Sequence, residues 1–243
     1  MKVKEKGCVM RYFDTLYPEA EFVDMTYGAL NGLGFSAGNT IACVAVCRDE
    51  ISQPLIEAAQ RSWGHVFNLS SLGGMLFAGK TGLTAAMHHA PNIDGKERYV
   101  FYSFPHIAID GEGRVGVCER EGRCGESGAC GALGIFQKEL AQGNVSVAME
   151  MDDIELSLIR ARLSMELADG EIPDLLELTK VAQRAIQADL EALLAALIDT
   201  GKSDYAVITG IQVHRPDGNF IAPISSYAYV DGIKRELLRT LTK

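Results

Sequence analysis

Three residues in this sequence, Cys47, His106 and Cys130, are of types that bind soft or borderline metals, and each stands where one element gives way to the next. Cys47 closes the run Ile41-Ala-Cys-Val-Ala-Val-Cys47 and is followed by Arg48, Asp49 and Glu50. His106 follows Arg98-Tyr-Val-Phe-Tyr-Ser-Phe104 and Pro105. Cys130 lies in Gly125-Glu-Ser-Gly-Ala-Cys-Gly131, a glycine-flanked helix start. Free backbone N–H groups and the helix dipole favour a thiolate there. Two thiolates and one imidazole are a common zinc set, and three protein ligands leave a fourth position for water. The ligands are scattered rather than paired as Cys-x-x-Cys, so only the fold can bring them together.

The remaining cysteines fit this chemistry less well. Cys43 faces the same side of the strand as Cys47 but about 13 Å away, too far to share one metal, and reads as a small buried hydrophobe. Asp49 faces that side too, about 6.6 Å beyond Cys47, so a thiolate and a carboxylate can share a pocket. Cys118, Cys124 and Cys130 recur every six residues, a spacing that matches no ferredoxin pattern. With Cys8 they complete a set of 6 without a secretory segment, read as thiols or metal ligands rather than a disulfide framework.

Two other chemistries compete. Cys47 or Cys130 with His106 could act in nucleophilic hydrolysis. Gly74-Met-Leu-Phe-Ala-Gly-Lys-Thr81 satisfies the P-loop pattern. Apolar side chains fill that loop, however, and do nothing for a polyphosphate. The plainer reading is a tight turn in which glycine lets the backbone approach a neighbour. Met75, Leu76 and Phe77 then line a pocket or join the core.

The elements that must position these residues follow from hydrophobic pattern. The run at 40–47 has no polar alternation and reads as a strand buried on both faces, as in a parallel sheet, whose ligands gather at the carboxyl ends of strands. Residues 18–33 predict an amphipathic helix, Pro54 to about Trp63 a second, and His65–Leu69 a short strand. A short helix at Thr84–Ala90 and a strand at Arg98–Phe104 come next. Residues 107–126 read as a long glycine-rich loop or hairpin. A helix near Gly128 runs through Leu140, a weaker strand or helix covers 144–168, and the longest helix runs from Asp174 to about Ile198. Tyr205–His214 and Asn219–Tyr229 flank the hairpin signal Pro216-Asp-Gly218, and a final helix closes the chain. The fold class is α/β: a mostly parallel central sheet with an antiparallel edge strand, flanked by helices. No linker or repeat divides residues 1–243, read as one domain with an N-terminal helical segment over 1–38 and the metal-binding core over 39–243.

A net charge of −9 offers no basic patch for nucleic acid or an anionic membrane. No apolar stretch approaches the roughly 18–20 residues that span a bilayer. The start carries lysines without the apolar region of a signal peptide. These features predict a cytoplasmic protein, or one whose targeting segment has been removed.

Taken together, Cys47-Arg-Asp-Glu50, Gly73–Gly82, Phe104-Pro-His106 and Ser127-Gly-Ala-Cys-Gly-Ala132 resemble the limiting-carbon-dioxide-inducible protein B/C family, a divergent branch of β-carbonic anhydrases. The resemblance covers the chain from about residue 38 onward. It implies a homodimeric or larger zinc enzyme that interconverts carbon dioxide and bicarbonate. It implies zinc on Cys47, His106 and Cys130, with Asp49 orienting water and itself held by an arginine. Two departures from ordinary β-carbonic anhydrases stand out. Ser127 occupies the place of the usual histidine, so His106 supplies the imidazole. Ile51 occupies the place of the usual arginine, leaving Arg48 as the expected partner of Asp49 and Arg61 as the alternative. If no arginine holds Asp49, its carboxylate could close the fourth zinc position, leaving a silent zinc-binding partner or sensor protein.

Overall fold

The computed structural model describes residues 12–237 apart from 121, 123 and 169, and Cys8 lies outside them. Along the chain come β1 (Tyr17–Pro18), α1 (Glu19–Asn31), β2 (Ile41–Ala45), α2 (Gln53–Trp63), β3 (Val66–Asn68), α3 (Gly79–Met87), β4 (Asn92–Ile93) and β5 (Lys96–Ser103). Then follow β6 (His106–Ala108), β7 (Val117–Cys118), β8 (Ser127–Gly128), α4 (Gly131–Gln142), α5 (Ile154–Ser164), α6 (Leu175–Leu197), β9 (Ser203–Arg215), β10 (Gly218–Val230) and β11 (Ile233–Glu236).

The main sheet has the order β1-β10-β9-β5-β2-β3. β2 pairs in parallel with β3 and β5, and β9 in parallel with β5 and β6, whereas β10 runs antiparallel to β9, β1 and β11. This is the mostly parallel sheet with an antiparallel edge that the pattern predicts.

Strand alternation sorts the core into two layers. Cys43, Ala45 and Cys47 pack with residues of α3, α4, α5 and α6, while Ala42, Val44 and Val46 pack against α1 and α2. Cys47 therefore faces the side from which α4 presents Cys130. The apolar stripe of α1, with Phe22, Val23 and Leu30, packs into this second layer.

β9 acts as a template for the site. Its first part pairs with β5, which ends at Ser103; its last part pairs with β6, in the register His106↔Gln212 and Ala108↔His214. Pro105 lies between β5 and β6. It has no N–H to give a ladder, yet its carbonyl accepts from Gln212 N at 2.9 Å, so the chain stays on β9 while shifting from β5 to β6.

The stretch 144–168, whose pattern allows strand or helix, contains helix α5. The final helix is overturned within the described residues: Ile233–Glu236 is a strand on β10. Asp231 (φ 53) and Gly232 (φ 75) both take positive φ, as a two-residue Asp-Gly hairpin turn requires, and the turn folds the chain straight back. Among the described residues no helix is long and apolar enough to cross a membrane.

One buried acid makes stability depend on pH. Glu19, 5% exposed, accepts from Gln212 Nε2 at 2.5 Å. Burial pushes its carboxyl up to about 7, against the hydrogen bond from Gln212 and the charge of Arg61. The folded state thus holds a proton that the unfolded state releases near pH 4.5, so stability falls as pH rises from there and levels off above about 7. Glu19→Gln is expected to be the more stable protein at pH 8, by up to about 3 kcal/mol, and to lose this slope. Urea unfolding at pH 5 and pH 8 measures it; equal slopes in both proteins would refute the assignment.

Candidate metal centre

Cys47, His106 and Cys130 come together as the sequence predicts. Their ligand atoms all lie within 4.8 Å of one another, and all three residues are buried. Cys47 stands just beyond the end of β2, and His106 is the first residue of β6. Cys130 caps α4 in extended conformation, with its thiol beside the N–H groups of Ala132 and Leu133. The two sulfurs are 3.8 Å apart. The Cys130 thiol in contact with Cys47 pushes Cys47 down, and the same contact together with burial pushes Cys130 up. The pair, rather than either member, holds one proton between two sulfurs. Cys43, by contrast, is pushed up to about 12 by burial alone and sits in the core as an inert thiol.

His106 is fully buried, and its Nε2 has no hydrogen-bond partner. A buried polar atom left bare is costly, and here it faces two sulfurs at ligand range. Its other nitrogen, Nδ1, lies 3.0 Å from His214 Nε2. Burial pushes His214 down to about 3, so its ring stays neutral. An orphaned imidazole nitrogen beside a proton-sharing thiol pair matches the donor set of a zinc site that keeps one position open.

Asp49 stands beside the cluster, with Oδ2 4.0 Å from His106 Nε2. Its arginine is neither Arg48 nor Arg61. Arg120, in the loop between β7 and β8, makes a bidentate pair with Asp49 through Nη1 at 2.7 Å and Nη2 at 2.8 Å. The guanidinium also donates to Glu50, to Ser127 Oγ at 2.8 Å and to Gly128 O at 3.2 Å. Burial, the largest influence, works against ionisation of Asp49, but the Arg120 hydrogen bonds, the contact with Glu50 and the surrounding positive charge together outweigh it and hold the carboxyl down to about 2. Arg48 turns the other way, onto Glu155, with Nη2–Oε1 2.8 Å. Arg48 and Asp49 lie in a bend past β2, where their side chains part, Arg48 to Glu155 and Asp49 to Arg120. Arg61 ends α2 on the opposite layer, near Glu19.

Ser127 also acquires a task, fixing the guanidinium that fixes Asp49. A cavity of about 580 Å³ opens over Cys47, Asp49, Arg120 and Ala132 and is also lined by Arg48. Met75 and Leu76 are buried in the core instead. The P-loop-like stretch thus turns apolar side chains inward.

The chain matches the family model "Limiting CO2-inducible proteins B/C beta carbonic anhydrases" over residues 16–230. It belongs to that family. Among solved structures, the chain is similar to limiting CO2-inducible protein LCIB at 34% identity, covering 97% of this chain and 98% of that one, with a TM-score of 0.80. It is also similar to PtLCIB4, a homolog of LCIB, at 25% identity, covering 95% and 98%, with a TM-score of 0.84. No curated protein sequence matches it. Within the LCIB family frame, the sequence signals for Cys47, His106 and Cys130 were strand ends and a glycine-flanked helix start. Arg120 carried no such signal, being one of several arginines in a glycine-rich loop.

Proposed function

We propose that the protein is a zinc-dependent carbonic anhydrase that interconverts carbon dioxide and bicarbonate. The reading is supported above all by the convergence of Cys47, His106 and Cys130 beside an aspartate clamped by Arg120. These three residues would hold the zinc. When bound, it supplies the Lewis acidity that makes water a nucleophile near neutral pH. Arg120 keeps Asp49 ionised and turned so that its carboxylate accepts a hydrogen bond from water instead of entering the ligand cluster. Leu72 and Ala132 give the mouth an apolar side suited to carbon dioxide. Arg48 borders the same mouth with its guanidinium held by Glu155. The residue assignments, a homodimeric or larger assembly, a cytoplasmic location and a single domain are parts of this proposal.

Metal analysis of the purified protein, Cys47→Ser and His106→Ala, alongside a carbon dioxide hydration assay, tests it. About one zinc per chain is expected in the wild type, falling well below that in both variants. Two thiolates cancel the formal charge of zinc, so hydration should rise toward alkaline pH. Full zinc in both variants would sink the site. Full zinc in the wild type with no hydration at any pH would leave a silent zinc-binding partner or sensor.

A further inference from the structure

His106 does not stand alone behind the cluster. Nδ1 of His106 meets Nε2 of His214 at 3.0 Å, Nδ1 of His214 meets Oδ1 of Asn219 at 2.8 Å, and Nδ2 of Asn219 donates to Ile51 O at 3.4 Å. His106 and His214 are diagonal neighbours on the paired strands β6 and β9, and Asn219 sits opposite His214 across the β9–β10 hairpin. Both rings are buried, at 0% and 5% exposure, with planes at 78° to each other.

The three contacts have one consistent direction. The Ile51 carbonyl can only accept, so Asn219 must turn its amide nitrogen to it and its oxygen to His214. That oxygen can only accept, so the proton of His214 sits on Nδ1 and its Nε2 is bare. A bare Nε2 can only accept, so His106 carries its proton on Nδ1. The lone pair of His106 is then on Nε2, the atom that faces Cys47 and Cys130 and has no hydrogen-bond partner. We infer that His214 and Asn219 are positioning residues, anchored on the Ile51 carbonyl, that set the tautomer and ring orientation in which His106 ligates a divalent metal. This rests on the zinc reading for its purpose, although the hydrogen-bond direction can be observed independently of affinity.

The ring of His214 also borders a second cavity, of about 570 Å³, shared with Asn219 and Arg114. Truncation to alanine would let water enter and accept the same proton. The informative variant is therefore His214→Phe, which fills the space and cannot accept. His214→Gln restores an acceptor oxygen near the position of Nε2.

Zinc affinity, measured by competition with a chromophoric chelator, is expected to weaken about 10- to 100-fold in His214→Phe and to stay within about threefold of wild type in His214→Gln. Asn219→Leu, which leaves His214 in place but frees its tautomer, is expected to fall between them. In the zinc-loaded wild type, imidazole 15N spectra should show His106 Nδ1 as the protonated nitrogen, with scalar coupling across the hydrogen bond to His214 Nε2. Melting temperatures of the metal-free proteins separate loss of ligation from loss of fold, and Asn219→Leu with the wild-type spectrum decides the matter if His214→Phe does not fold. Wild-type affinity in a folded His214→Phe, or a proton on His106 Nε2 with Nδ1 bare, would overturn the inference. A wild type that binds no zinc would fail the zinc reading instead, and the same spectrum recorded on the metal-free protein would still decide the hydrogen-bond direction.

Discussion

Arg120→Gln is expected to keep its zinc and lose carbon dioxide hydration by about 100-fold or more. Arg120 touches none of the three proposed ligands, so the metal-holding cluster survives the change. What is lost is a bidentate, charge-assisted pair between groups that are only 14% and 12% exposed. Removing one partner of such a pair costs about 3–5 kcal/mol because the other charge is left buried and uncompensated. The freed Asp49 has its oxygen 4.0 Å from His106 Nε2 and can relieve that cost by turning into the position that water needs. At 1.36 kcal/mol per tenfold, a loss of even about 3 kcal/mol is a hundredfold in rate. Arg120→Lys keeps the charge but not the planar fork, so it should recover only part of the activity. Stopped-flow hydration with parallel metal analysis makes the measurement. Activity within about threefold of wild type in Arg120→Gln would show that Asp49 does not depend on its arginine.

The second large effect is on stability. Gly74→Ala is expected to cost about 2–4 kcal/mol, which lowers the melting temperature by about 5–15 °C. Gly74 has φ of +72°, where an L-residue is strained, and a Cβ built there would lie 2.5 Å from Phe104 O and 3.2 Å from Pro105 Cα. Both contacts are backbone, so no side chain can rotate away. The displaced segment is Phe104-Pro105, which leads directly into His106, so zinc affinity should fall with stability. Thermal unfolding with and without added zinc checks both. An unchanged melting temperature would mean that β6 yields at no cost.

Gly74 also shows what a sequence can and cannot disclose. The glycine-rich stretch has the spacing of a phosphate loop, but its apolar residues favoured a close backbone approach, and the approach is there. The parallel sheet, the buried strand β2 and the meeting of Cys47, His106 and Cys130 were legible because each rests on local pattern plus the rule that sites form at strand ends. Arg120 was not legible. It reaches Asp49 across 71 residues, from a hairpin loop with no periodicity and several arginines. Proximity in sequence favours Arg48, but the bend after β2 sends Arg48 to Glu155 and Asp49 to Arg120. Strand β11 stands where the pattern predicts a closing helix, because Asp231-Gly232 is a two-residue turn that folds the chain back onto β10. The hydrogen-bonded line from His106 to Asn219 depends on strand register, which no spacing in the sequence reveals.

The delivery of Arg120 from the β7–β8 loop divides the centre into two inheritable parts. One part, just past β2, at the first residue of β6 and at the cap of α4, holds the candidate ligands; the other, a loop that supplies none of them, holds the aspartate. If the proposed function holds, substitutions in the loop are expected to silence turnover while every candidate ligand stays intact. A relative that retains the cysteines and the histidine has kept the means to bind metal. Under the proposed function, an arginine retained in that loop is expected to mark the relatives that also turn over.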